Sequence, residues 1–104
     1  MSIDPLDVGE RRVVTVEGEP VAVFNVEGQY RAIGNRCPHR GGPLSRGRLE
    51  PLPPEASPSG GVAVRCPIHG WLFDLATGRC LNQPEASVPA YRVTCRDGAV
   101  SISR

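Results

Sequence analysis

Apolar residues in this chain come in short runs separated by turn signals, and no run continues with a helical period. Val13-Val14-Thr15-Val16 and Val21-Ala22-Val23-Phe24 flank Gly18-Glu19-Pro20, which predicts a hairpin broken at those three residues. Glu27-Gly28 separates the second run from Tyr30-Arg31-Ala32-Ile33. Val62-Ala63-Val64-Arg65 and Trp71-Leu72-Phe73 bracket a further loop, and Thr77-Gly78 predicts a turn with Gly78 at positive φ. Near the end, Arg96-Asp97-Gly98 between Tyr91-Arg92-Val93-Thr94 and Ala99-Val100-Ser101-Ile102 is the strongest hairpin signal of all. Arg11-Arg12 reads as the start of a strand. The pattern predicts an all-β chain, a sandwich or small barrel of antiparallel strands with functional loops at strand tips. One stretch, 50–61, interrupts it. Its four prolines disfavour a helix or central strand and predict a surface loop of polyproline character. Insertion in such a loop is thermodynamically cheap, so it reads as a tolerated insertion rather than a partner-binding segment.

Composition sharpens this picture. A length of 104 residues predicts a single domain, 1–104, with a modest core, and 12 Gly, 11 Pro and few aromatics suit a loop-rich β fold. All 12 basic residues are Arg, set against 11 acids for a net charge of +1, so there is no basic footprint for nucleic acid. The N-terminal Met1-Ser2-Ile3-Asp4-Pro5 is acidic and turn-like rather than basic and leading into an apolar run. No export leader or membrane anchor is expected, and the location is expected to be cytoplasmic.

Chemistry concentrates in two loops, about 36–45 and 65–74. The first reads Cys37-Pro38-His39-Arg40-Gly41-Gly42-Pro43-Leu44, the second Cys66-Pro67-Ile68-His69-Gly70-Trp71, and they hold both histidines of the chain. Two thiolates and two imidazoles make a four-donor set suited to iron–sulfur or zinc. Cys-x-His with Cys-x-x-His is not a common zinc-finger spacing. One Cys and one His per loop is what a Rieske-type [2Fe–2S] centre takes, with thiolates on one iron and imidazoles on the other. Here the chain resembles the Rieske proteins, and more narrowly the small soluble Rieske-type ferredoxins. The likeness extends over Cys66 to Asp74, Thr77-Gly78 and the flanking hairpins.

That resemblance implies a Rieske-type iron–sulfur protein fold, an antiparallel β-sandwich with a small cluster-binding subdomain of two loops. It implies one [2Fe–2S] cluster per chain, with Cys37 and Cys66 on a buried iron and His39 and His69 on an outer one. Neutral imidazoles in place of two thiolates remove negative charge and raise the reduction potential. Each bound imidazole keeps a second ring nitrogen, so electron and proton uptake are expected to couple in the alkaline range. Gly41, Gly42 and Gly70 are expected to admit the backbone close to the cluster, and Pro38, Pro43 and Pro67 to stiffen the loops. Trp71 and Phe73 are expected to pack beneath it, and Arg40 is either a docking charge or simply solvated. Between His39 and Cys66 lie 26 residues, longer than the family's usual spacing, with the excess in 50–61. High-potential members add a disulfide at the positions of Gly42 and Ile68, and hydroxyl donors at those of Trp71 and Phe73. Their absence here places the expected potential near the low end of about −150 to +300 mV. Cys80 and Cys95 are expected to be buried thiols without a bridge.

Both histidines are committed, so no mononuclear iron site for oxygenase chemistry remains, and no Gly-rich dinucleotide fingerprint occurs. The expectation is therefore a carrier and not an enzyme. It would take electrons from a flavoprotein ferredoxin reductase and pass them to a terminal oxygenase. The alternative is a small Rieske-like subunit of an assimilatory nitrite reductase complex.

Overall fold

The computed structural model describes residues 2–39, 41–53, 55 and 61–104, which form two antiparallel sheets and, among the described residues, no α-helix. The strands are β1 (Ser2–Ile3), β2 (Arg11–Val16), β3 (Glu19–Val26), β4 (Gln29–Gly34), β5 (Arg48–Pro51), β6 (Val62–Arg65), β7 (Leu72–Asp74), β8 (Ala90–Arg96) and β9 (Ala99–Ser103). A 3-10 turn, Leu44–Arg46, precedes β5. The larger sheet has the order β1-β9-β8-β4-β3-β2, the smaller β5-β6-β7.

Three hairpins of the larger sheet close on two-residue turns with both residues at positive φ: Glu17-Gly18, Glu27-Gly28 and Asp97-Gly98. That geometry matches the twist of the strands it joins, and glycine at the second position adopts it without strain. The first turn differs from the sequence expectation. It lies at Glu17-Gly18, and Glu19 and Pro20 already belong to β3, paired with Val16 and Thr15. The proline sits near the strand's start, where the Pro20 carbonyl accepts the Asn35 N–H at 2.9 Å.

Strand β3 is buried continuously from Val21 to Asn25 because it serves two cores. Ala22 and Phe24 face one cluster with Ile33, Cys37, Leu44, Val64, Cys66, Phe73 and Cys80. Val21 and Val23 face the other, with Leu6, Val16, Ala32, Tyr91, Val100 and Ile102. The first core unites the two sheets and includes Cys37 and Cys66, so the apolar interior runs up to both motif loops. At roughly 25 cal/mol per Å² of buried apolar surface, that continuity anchors the loops far more firmly than their own turns would.

The stretch 50–61 departs from the expected loop at its start: Glu50 and Pro51 complete β5, paired with Ala63 and Val62. Proline is tolerated there because β5 is the edge of its sheet. The Leu52 N–H donates to the Gly61 carbonyl at 2.9 Å, bringing the two ends of the insertion together. Pro54 and residues 56–60 of this stretch lie outside the described residues.

Candidate metal centre

The two motif loops are the same turn. In the first, the Cys37 N–H donates to the Gly42 carbonyl at 2.9 Å and the Gly41 N–H to the Cys37 carbonyl at 2.7 Å. In the second, Cys66 N–H donates to the Trp71 carbonyl at 2.7 Å and Gly70 N–H to the Cys66 carbonyl at 3.0 Å. Each begins with Cys-Pro and has glycine at its fifth position, at φ 72° for Gly41 and 75° for Gly70. Proline presets the φ of a turn's second residue, and glycine takes the left-handed one. Flanking pairs close both loops: Arg36 with Pro43, and Arg65 with Leu72. The turn recurs at Asp74–Arg79, with Gly78 at φ 78° as expected and closure by Phe73 with Cys80. There Asp74 replaces the cysteine, and its Oδ1 accepts the Ala76 N–H at 2.9 Å.

The matched turns sort the candidate donors by depth. Cys37 and Cys66 are 2% and 3% exposed, whereas His39 and His69 are exposed at the tip. The imidazoles lie edge to face, their centroids 4.6 Å apart at an interplanar angle of 72°. A Cβ on Gly42 would lie 2.9 Å from Cys66 Sγ and 2.6 Å from Ile68 Cγ1, so the first loop presses directly on the second. Gly41 and Gly70 have no such crowding; their turns need the positive φ instead. Among the described residues, no group of three or more His, Cys, Asp or Glu side chains is arranged to hold a metal ion. The donors come as a deep sulfur pair and a shallow nitrogen pair. A [2Fe–2S] centre uses two donors per iron and so fits such a division, whereas a mononuclear zinc needs all four at one point.

Phe73 is fully buried beneath the loops, as expected. Trp71 is placed differently: half-buried, its indole stacks on the His39 ring at 4.6 Å with an interplanar angle of 19°. None of the four cysteines forms a disulfide; Cys80 is 4% exposed, but Cys95, near the end of β8 beyond the core, is exposed and not buried as expected. Arg40 lies outside the described residues.

Sequence reasoning missed three residues that grip the second loop. Arg65 Nη1 donates to the Gly70 carbonyl at 2.9 Å, and Asn82 Nδ2 reaches the same oxygen at 3.1 Å. Asn82 Oδ1 in turn accepts the Leu72 N–H at 2.9 Å and the Cys80 thiol at 3.2 Å. Glu50 holds Arg65 two-pronged, through Nε and Nη2. This hydrogen bonding lowers the Glu50 carboxyl below its ordinary value, with partial burial opposing and the Arg65 and Arg48 charges assisting. It raises the Arg65 guanidinium reciprocally. The available signal was charge alternation at 48 and 50 opposite 65, legible only once β5 is recognised as a strand. No sequence pattern marks Asn82.

Comparison with known proteins bears on the same residues. The Rieske [2Fe-2S] domain profile matches residues 1–92. The chain is 39% identical over 71 residues to the ferredoxin component of the naphthalene 1,2-dioxygenase system of Pseudomonas aeruginosa, a match covering 68% of this chain and 59% of that relative. It is 34% identical over 98 residues to the 3-phenylpropionate/cinnamic acid dioxygenase ferredoxin subunit of Escherichia coli (strain K12), covering 92% and 84%. Among solved structures it is similar to a Mycobacterium tuberculosis protein described as an NADH-dependent nitrite reductase small subunit. That likeness has a TM-score of 0.83 at 28% identity, over 100% of this chain and 95% of the other.

Proposed function

The chain belongs to the Rieske [2Fe-2S] domain family, and on that premise we propose that it is a one-electron carrier. It takes electrons from a flavoprotein ferredoxin reductase and delivers them to a terminal oxygenase, with no catalytic step of its own. The observation that carries this reading is the pair of matched turns, holding two thiols in the core under two exposed imidazoles. In it, Cys37 and Cys66 bind the inner iron, His39 and His69 the outer one, and residues 1–104 act as one domain.

A [2Fe–2S] centre in these loops supplies reversible storage of one electron. The protein's own residues do the rest. Phe73, Leu44 and the buried thiols keep water from the inner side. His39 and His69 give the path to the surface, with the Trp71 indole against His39 holding that ring in place. Around them, Pro38, Pro67 and Ile68 are exposed and uncharged, a surface suited to brief contact. Redox partners of this sort bury less than about 1,200 Å², so association is weak and transient. Two ferredoxin relatives named as components of dioxygenase systems support the oxygenase as electron acceptor. Four cysteines without a disulfide support a reducing, cytoplasmic setting.

A second reading, the small subunit of a nitrite reductase complex, is favoured by the likeness over the whole chain to the mycobacterial protein. Stoichiometric co-purification with a large subunit would select it; salt-sensitive, transient association selects the carrier. For the centre itself, the test is an EPR-monitored redox titration of anaerobically reduced protein. The expected result is a Rieske-type signal with a low midpoint. Protein containing zinc, or no iron, would overturn the carrier reading.

A further inference from the structure

Strand pairing sets Arg48 directly opposite Arg65, two like charges side by side on the small sheet. Glu50, two residues along β5 on the same face, stands between them, bonded to Arg65 and 3.9 Å from Arg48 Nη2. The bonded guanidinium is then aimed at the Gly70 carbonyl, within the loop that carries Cys66 and His69. The pair is partly buried and two-pronged, and it adds to the stability of the small sheet. Its placement against this loop matters for a different quantity. The oxidised Rieske centre with neutral imidazoles has no net charge and gains a negative charge on reduction. A cation held beside the loop favours the reduced form, and a carboxylate beside it disfavours that form.

We propose that the Glu50–Arg65 pair, clamped on the Gly70 carbonyl, positions the second ligand loop and tunes the potential at which the centre accepts its electron. The inference rests on the carrier reading and assigns these two side chains to that site. Asn82 shares the mechanical part of the task, since it binds the same carbonyl without bringing charge. Arg65 and Glu50 therefore act on the potential with opposite signs.

Midpoint potentials of the purified, cluster-loaded chain test this, read with the EPR line shape and the visible spectrum. Arg65→Gln is expected to shift the midpoint downward and Glu50→Gln upward. The double variant E50Q/R65Q is expected to return toward the wild-type value, because the net charge of the group is restored. Arg65→Lys, which keeps the charge but loses the two-pronged geometry, is expected to stay closer to wild type than Arg65→Gln. Asn82→Ala is expected to broaden the EPR line with a smaller change in midpoint. Unchanged midpoints in both single variants, or shifts of the same sign, would overturn the inference while leaving the centre in place. If the Gln variants assemble poorly, the Arg65→Lys and Glu50→Asp variants carry the comparison: their midpoints are expected near the wild-type value with an altered EPR line shape, and an unaltered line shape in both overturns the positioning role. A wild-type chain with no Rieske-type signal would instead remove the carrier reading, and this inference with it.

Discussion

Single atoms decide whether the two loops can meet. Gly42 occupies the tightest point, where any Cβ would fall inside contact distance of Cys66 Sγ and Ile68 Cγ1. Gly42→Ala is expected to cost about 1–3 kcal/mol by overpacking and to displace the Cys66 thiol from its site. Iron content and the visible spectrum of the variant check this; full occupancy with an unchanged spectrum would contradict it. The same geometry has a second consequence. The Gly42 Cβ position lies 3.5 Å from Ile68 Cβ, the separation at which disulfides begin to form, about 3.5–4.5 Å. The double variant G42C/I68C removes the Ile68 branch that blocks the new side chain and is expected to form that bridge on mild oxidation. Mass spectrometry under non-reducing conditions reads the loss of two hydrogens, and two persistently free thiols would refute the geometry. These two positions were singled out from the sequence by resemblance alone; the structure adds that they touch.

Among elements, the β5–β6 pairing couples the charge group to the loop, and acid should uncouple it. Glu50 is held below its ordinary value near 4.5, chiefly by the Arg65 hydrogen bonds. A depressed carboxyl contributes stability that is full above its unfolded value and fades as pH falls through the folded one. Urea midpoints of wild type and Glu50→Gln are therefore expected to differ near neutral pH and to converge on acidification below that range. A gap independent of pH would rule out the ion pair as its source. The hairpins were legible beforehand because Glu27-Gly28 and Asp97-Gly98 state their turn chemistry locally. The first hairpin turn was read as running two residues too far because Pro20 resembles a turn residue, yet sits in β3 near its start. Strands β1 and β5 stayed hidden for a related reason. β1 has two residues and exists only through Ser101 and Val100 of β9. β5 carries a proline that an edge strand tolerates and a central strand would not. The two Cys and two His of the motif loops were legible as residue types, but their division into a deep sulfur pair and a shallow imidazole pair arises from packing against Phe73 and Leu44. The stack of Trp71 on His39 depends on a ring orientation that no sequence pattern carries.

Over the whole molecule, which measures 37 × 31 × 20 Å, the small sheet keeps two loop features apart. One end of β6 opens into the second motif loop at Cys66, and the other receives the 50–61 insertion at Gly61. Four residues of strand hold them roughly 13 Å apart. Because Leu52 and Gly61 are already bonded, residues 53–60 leave and rejoin the sheet at one place, and the Glu50 contact with Arg65 lies outside them. Loop length alone alters closure entropy only slowly, so its removal costs or gains less than about 1 kcal/mol. Replacing residues 53–60 with Asn-Gly supplies a two-residue turn between the paired ends. The shortened chain is expected to keep the wild-type EPR signal, midpoint potential and urea midpoint. A shifted potential would mean that the insertion reaches the centre; a large loss of stability would mean that it packs on the sheets. An unchanged centre with weaker electron transfer to a reductase or oxygenase would identify the stretch as a partner contact, and overturn its reading as a tolerated insertion.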